Sequence, residues 1–285
     1  MKKLLLSIII FTLAVLGAGC SETTQGKENK VNKESNESVK VKLGISGTDT
    51  RIWDFVAKKA EKEGIDVEIV KFSDYVAPNT ALAEGELDAN AFQTVAYFDV
   101  FIKEHKLDLV PIATTVLAPM GIYSDKYKKV KDIPNSSKIA IPNDASNGGR
   151  ALLLLQEAKL IKLDDSFDGN FTTLDQVIEN PKKLEIVPVV PAQTPRALPD
   201  VAASVINNGI AVDAGLSPLK DTIFHESKTA TPYLNIIAVK KADKNNKTLK
   251  RLAELYQEDD TAKFIEKEYK GNMIPTFVPL SKIGW

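Results

Sequence analysis

Lys138-Ile-Ala-Ile-Pro-Asn-Asp-Ala-Ser-Asn-Gly-Gly-Arg-Ala-Leu-Leu-Leu-Leu-Gln156 reads as a short buried strand, a polar turn, and a helix that opens at Gly148-Gly149-Arg150. A helix start presents unpaired N–H groups and the positive end of the macrodipole, so it suits an anion. Arg150, placed by this reading in the first turn, adds a planar fork that matches a carboxylate or phosphate. Asn147 stands where it can cap the helix or reach a ligand. A plain capped junction with a solvated arginine has the same local sequence, so the rest of the chain must decide.

The chain before this stretch repeats its grammar. Val39-Lys-Val-Lys-Leu-Gly-Ile45 alternates apolar and polar residues as a strand does. Asp49 or Thr50 can cap a helix carrying Ile52, Trp53, Phe55, Val56 and Ala60, and Asp66-Val-Glu-Ile-Val-Lys71 is the next strand. Strand, helix, strand in that order makes a parallel pair with a right-handed crossover. Helices through Asn79–Glu84 and Ala96–Glu104, with strands at Leu87–Phe92 and Leu109–Ala113, continue an alternation typical of an open α/β sheet.

Downstream, helices at Arg150–Ala158 and Leu174–Glu179, a strand at Leu184–Val189 and the apolar Val201–Ile206 form a second series. Two extended segments join the series: Thr114–Ser124, interrupted by Pro119, and Thr231–Lys240. The pattern predicts an α/β protein of two lobes, residues 39–122 with 234–285 in lobe 1 and 123–233 in lobe 2. The chain then crosses between them near Tyr123 and Tyr233. Ligands in such folds sit outside the carboxyl ends of the strands and between lobes.

Residues 1–19 read as a targeting signal. Lys2-Lys3 precede an apolar run, Leu4–Leu16, that is too short to span a bilayer comfortably. Gly17-Ala-Gly-Cys20 supplies small residues before a lone cysteine, which resembles the lipobox of bacterial lipoproteins. That pattern implies diacylation of Cys20, although its usual leucine sits one place early, at Leu16. Residues 20–38 are rich in Lys, Glu, Asn and Ser and bury too little apolar surface to order themselves, so they read as a tether. The expected location is the extracytoplasmic face of the cell membrane, held by lipid.

Composition excludes several classes. A formal net charge of −1 and the lack of an RNP or zinc-finger pattern argue against nucleic acid. One cysteine and two distant histidines, His105 and His225, leave no zinc cluster and no HExxH helix, so no metal is expected. Gly44-Ile-Ser-Gly47 begins like a nucleophile elbow, but Thr48 stands where the second glycine belongs. Neither GxxxxGK[ST] nor GxGxxG occurs, and no cofactor or catalytic residue is expected. Asp164–Asp175 carries oxygen ligands in part of the EF-hand pattern but ends in Asp where the loop needs Glu, and its residues are also ordinary turn formers.

The promising residues lie near the inferred strand ends. Tyr75, Phe92, Tyr97 and Met120 can wall an apolar slot suited to a thioether. Asn147, Asn207 and Asn235 can meet an ammonium or carboxylate, with Arg150 taking the carboxylate.

Phe72-Ser-Asp-Tyr-Val-Ala-Pro-Asn-Thr-Ala-Leu82, Leu87-Asp-Ala-Asn-Ala-Phe-Gln93, Ala118-Pro-Met-Gly-Ile-Tyr-Ser124, Ile141–Leu155, Val177-Ile-Glu-Asn-Pro-Lys-Lys-Leu184 and Pro232-Tyr-Leu-Asn235 resemble the NlpA/MetQ family in order and content, over Val39 to Trp285. These are substrate-binding lipoproteins of methionine ABC importers. The resemblance implies a monomer with the two-lobed periplasmic substrate-binding fold and two crossover segments (type II-like). It implies a permease and its ATPase as partners, and no enzymatic activity. By position, Asn147, Arg150, Asn207 and Asn235 match the family's contacts to the amino-acid backbone groups, while Tyr75, Phe92 and Tyr97 match its side-chain pocket. Methionine binders read Phe-Gln-His-x-Pro-Tyr where this chain has Phe92-Gln-Thr94-Val-Ala96-Tyr97. L-methionine is therefore the expected ligand, with glycylmethionine, D-methionine or another amino acid as alternatives. A surface lipoprotein without a transport role, and a hydrolase lacking a sequence-evident nucleophile–base pair, complete the set.

Overall fold

The computed structural model describes residues 38–171, 173–226 and 231–285. Cys20, the signal and the tether up to residue 37 lie outside the described residues. The first half contains β1 (Val39–Ser46), α1 (Arg51–Glu61), β2 (Ile65–Phe72), α2 (Ala77–Glu84), β3 (Ala89–Asn90), α3 (Val95–His105) and β4 (Leu109–Leu117). Then come β5 (Gly121–Tyr123), β6 (Lys138–Pro142), α4 (Ala145–Glu157), β7 (Lys162–Leu163), β8 (Val177–Glu179), β9 (Glu185–Val189), β10 (Ala203–Ile206), α5 (Asn208–Asp213) and β11 (Thr222–His225). The chain closes with β12 (Leu234–Lys240), α6 (Lys247–Tyr256), α7 (Asp259–Tyr269) and β13 (Ile274–Pro275).

Two mixed sheets carry the two lobes. Lobe 1 has the order β13-β4-β12-β3-β1-β2, and lobe 2 the order β11-β5-β10-β6-β9. The expected βαβ unit is present, since β1 pairs in parallel with both β2 and β3. In each sheet the strand that enters from a crossing runs against its neighbours: β12 is antiparallel to β3 and β4, and β5 to β10 and β11. A strand entering directly from the other lobe has no crossover helix to reverse it, which a parallel connection needs.

Strand periodicity shows which faces are covered. In β12, Ile237 and Val239 join the core under α1, α6 and α7, while Ile236 and Ala238 join the one under α2 and α3. Both faces of that sheet are therefore buried, as a near-continuous apolar strand requires. Lobe 2 centres on the leucine-rich face of α4 against β6 and β10.

Four expectations are corrected. The first crossing lies at Ala118–Met120, because Gly121–Tyr123 already pairs with β10 in the second sheet. Leu174–Glu179 contains no helix: Val177–Glu179 pairs antiparallel with Lys162–Leu163, and the Lys162 ammonium meets the Glu179 carboxylate at 3.0 Å. Helix α4 opens at Ala145 with Asp144 as its N-cap, so Asn147 is in the first turn and Arg150 in the second. Gly148 and Gly149 are interior residues, needed because a Cβ on Gly149 would strike the Gly169 carbonyl oxygen and one on Gly148 would come within 2.9 Å of Phe171. The loop that resembles part of an EF-hand packs on α4 at that point, with Phe171 N–H donating to the Ala145 carbonyl at 2.7 Å. Its Asp164 and Asp168 carboxylates accept from the backbone of Ser166 and Asn170, which is Asx-turn geometry.

Candidate functional site

A cavity of about 150 Å³ lies between the lobes. Adjacent parallel strands β6 and β10 end side by side, which brings Asn147, in the first turn after β6, to Asn207, the residue that follows β10. Lobe 1 supplies Phe92 and Thr94 just past β3 and Ser46 at the end of β1. All seven residues expected to bind ligand line this one cavity: Tyr75, Phe92, Tyr97, Asn147, Arg150, Asn207 and Asn235. Met120 does not. It is fully buried among the apolar residues of lobe 2, because the crossing comes earlier than expected.

The aromatic end is a triangle. Ring centroids are 5.9 Å apart for Tyr75 and Phe92, 5.9 Å for Tyr75 and Tyr97, and 6.3 Å for Phe92 and Tyr97. The Tyr97 hydroxyl donates to the Tyr75 carbonyl at 3.0 Å, tying the two segments together. Burial, and then the charge of Asp144, push both phenols above their ordinary value, so they stay neutral. Edge and face positions within such a triangle suit a polarisable sulfur. Thr94, which stands at the family's histidine position, lines the cavity and caps α3, its hydroxyl accepting from Tyr97 N–H at 3.2 Å.

The polar end differs from expectation at Arg150. Its Nε donates to Glu226 Oε1 at 2.7 Å and its Nη2 to Oε2 at 2.5 Å and to the Ala118 carbonyl at 3.1 Å. The guanidinium also lies over the Tyr233 ring, 4.2 Å from its centroid. Glu226 accepts a further bond from Met120 N–H at 2.8 Å. The fork is thus filled from within by a buried ion pair that spans both crossings. Nη1 is the guanidinium nitrogen without a partner among the described residues, so Arg150 can offer a ligand the two N–H groups of one nitrogen and not the Nε/Nη2 fork.

The asparagines are wired in series. Asn147 Nδ2 donates to both Asp144 oxygens at 3.0 and 3.1 Å, and Asn147 Oδ1 accepts from Asn207 Nδ2 at 2.7 Å. Asn207 Oδ1 is buried and has no partner among the described residues. A buried acceptor left open is costly unless something fills it. Asn235 Nδ2 donates to the Val116 carbonyl at 3.1 Å, leaving its oxygen as the acceptor of that side chain.

A family model described as NlpA lipoprotein matches residues 41–277. The chain belongs to this family. It is 38% identical to the D-methionine-binding lipoprotein MetQ of Escherichia coli K12, over 93% of this chain and 94% of that one. A solved structure of protein PG110 from Staphylococcus aureus shares 44% identity and covers 86% of this chain and 97% of its own, with a TM-score of 0.83. A nutrient binding protein from Burkholderia cenocepacia, solved bound to methionine, shares 45% identity and covers 83% of this chain and 100% of its own, with a TM-score of 0.80.

Within this NlpA-family site, sequence reasoning missed four residues. Asp144 is the root of the asparagine series, and Glu226 fills the arginine fork. Asp213 accepts from Thr48 N–H at 2.9 Å and from the Thr48 hydroxyl at 2.6 Å, clasping one lobe to the other across the cavity mouth. Asn208 donates to the Asn272 carbonyl at 2.8 Å, a second bond between the lobes. The Asn207-Asn208 doublet was visible in the sequence, but only the pairing of β10 with β6 shows which asparagine faces which neighbour.

Proposed function

We propose that this protein is the lipid-anchored substrate-binding component of an ABC importer and that it binds methionine. The observation that carries the reading is one cavity lined both by Asn207, whose buried oxygen has no partner among the described residues, and by the Tyr75–Phe92–Tyr97 triangle. An acceptor suits an ammonium, Arg150 Nη1 suits the adjoining carboxylate, and the aromatics suit the thioether. A relative in the same family, at 45% identity, is solved bound to methionine, which supports the choice of ligand. Cys20 carries the lipid and the protein faces the extracytoplasmic space, working as a monomer with a permease and its ATPase. It acts by binding and release, not by chemistry.

Isothermal titration of lipid-free protein, stripped of bound ligand by unfolding and refolding, tests this. L-methionine, D-methionine, methionine sulfoxide and glycylmethionine are the ligands. Heat with a methionine enantiomer, weakened for the sulfoxide, is expected. No heat with any of them overturns the methionine reading, and a preference for glycylmethionine moves the ligand class to dipeptides.

A further inference from the structure

The bonds behind Asn207 can run in only one direction. An ionised carboxylate accepts and does not donate, so the amide facing Asp144 must be the nitrogen side of Asn147. That turns Asn147 Oδ1 the other way, where it can only accept, and Asn207 answers with its own nitrogen. Asn207 is left with its oxygen unpartnered among the described residues. Asn207 is 8% exposed and lines the cavity, while Asp144 does not reach the cavity itself.

We propose that Asp144 is a positioning residue for ligand recognition. Acting through Asn147, it fixes the Asn207 amide as an acceptor, so this point of the cavity demands an ammonium or other N–H donor and rejects ligands without one. The proposal rests on the reading of the cavity as a methionine site. With a neutral amide in place of Asp144, both asparagines are free to turn over, and the cavity presents N–H as readily as oxygen. Asp144 also caps α4, accepting from Asn147 N–H at 2.8 Å. Asparagine caps helices as well as aspartate does, so Asp144→Asn keeps the cap and removes only the direction.

Ligand-stripped wild type, Asp144→Asn and Asn147→Ala are each titrated with methionine and with des-amino methionine, which has hydrogen in place of the α-amino group. Wild type is expected to prefer methionine by about 10- to 100-fold, the range a hydrogen bond to a charged group supports. Both variants are expected to compress that preference to within about 3-fold, chiefly by losing affinity for methionine. Thermal melts run in parallel. Should Asp144→Asn not fold, Asn147→Ala decides, because alanine favours α4 and leaves the Asp144 cap on the backbone. A variant that keeps the wild-type preference overturns the relay and leaves the methionine reading standing, as does a wild type that binds both ligands equally. A wild type that binds neither overturns both.

Discussion

Two sets of buried amides flank the cavity, and they are wired in opposite ways. In lobe 1, Asn79 Nδ2 donates to Gln93 Oε1 at 2.7 Å, Gln93 Nε2 donates to Asn79 and Asn90 at 2.7 and 3.0 Å, and Asn90 Nδ2 donates to Asn79 at 2.8 Å. That set closes on itself, apart from one bond to the Pro78 carbonyl. In lobe 2, Asp144, Asn147 and Asn207 form a line that ends on an unpartnered oxygen. A satisfied ring fixes shape: it holds the Phe92–Thr94 segment against α2. An open line keeps one valence for something outside the protein. On the proposed function, polar burial serves stability on one side of the cavity and recognition on the other.

Four substitutions test that division, taken from the largest effect down. The Arg150–Glu226 pair is closed like the ring, so Arg150→Ala should cost about 3–5 kcal/mol in denaturant unfolding, because Glu226 is left buried and unpaired. A loss confined to ligand affinity would put Arg150 with the open line instead. Asn79→Ala should lower unfolding free energy by about 3 kcal/mol and leave the affinity of the folded fraction nearly unchanged. Asn207→Ala should do the reverse, weakening methionine by roughly 30-fold in calorimetry with little change in melting temperature.

Thr48→Ala, which removes one of the two bonds to Asp213, should weaken affinity by about 5-fold with unfolding unaffected, since the clasp joins lobes and not a core.

Acid behaviour gives the smallest effect. Burial pushes the Asp49 carboxyl up, but hydrogen bonds from Arg51 and Tyr269 outweigh it and hold the group below its ordinary value. A carboxyl depressed in the folded state adds stability above its unfolded pKa and loses it as pH falls through the folded one. Arg51 is half exposed, so the contribution should stay below about 1 kcal/mol. Asp49→Asn should lower the neutral plateau of a pH–stability curve by up to that amount and meet wild type at the acid end, so that the acid limb is flatter.

Much of this protein was legible residue by residue. Alternation in Val39–Ile45 and Asp66–Lys71 gave two strands that pair in parallel, because period-two burial is a local property of the chain. The seven residues expected at the site were legible through motifs, and they converge on one cavity. Where reading failed, the cause lay elsewhere in the chain. Leu174–Glu179 is neutral in local preference, and its second half, Val177–Glu179, becomes a strand through Lys162–Leu163. The glycines at 148 and 149 looked like a helix start, but the approach of Gly169 and Phe171 explains them.

The sequence by itself determined the alternating α/β order, the residue types at the cavity and the lipobox-like cysteine, since each is written in neighbouring residues. Only the tertiary structure decided what each polar group is left to do. Hydrogen-bond valence is allotted by partners distant in sequence: Glu226 takes the arginine fork 76 residues away, and Asn207 spends its nitrogen on Asn147 60 residues away. What remains for a ligand is the difference between a side chain's capacity and what the fold has already used.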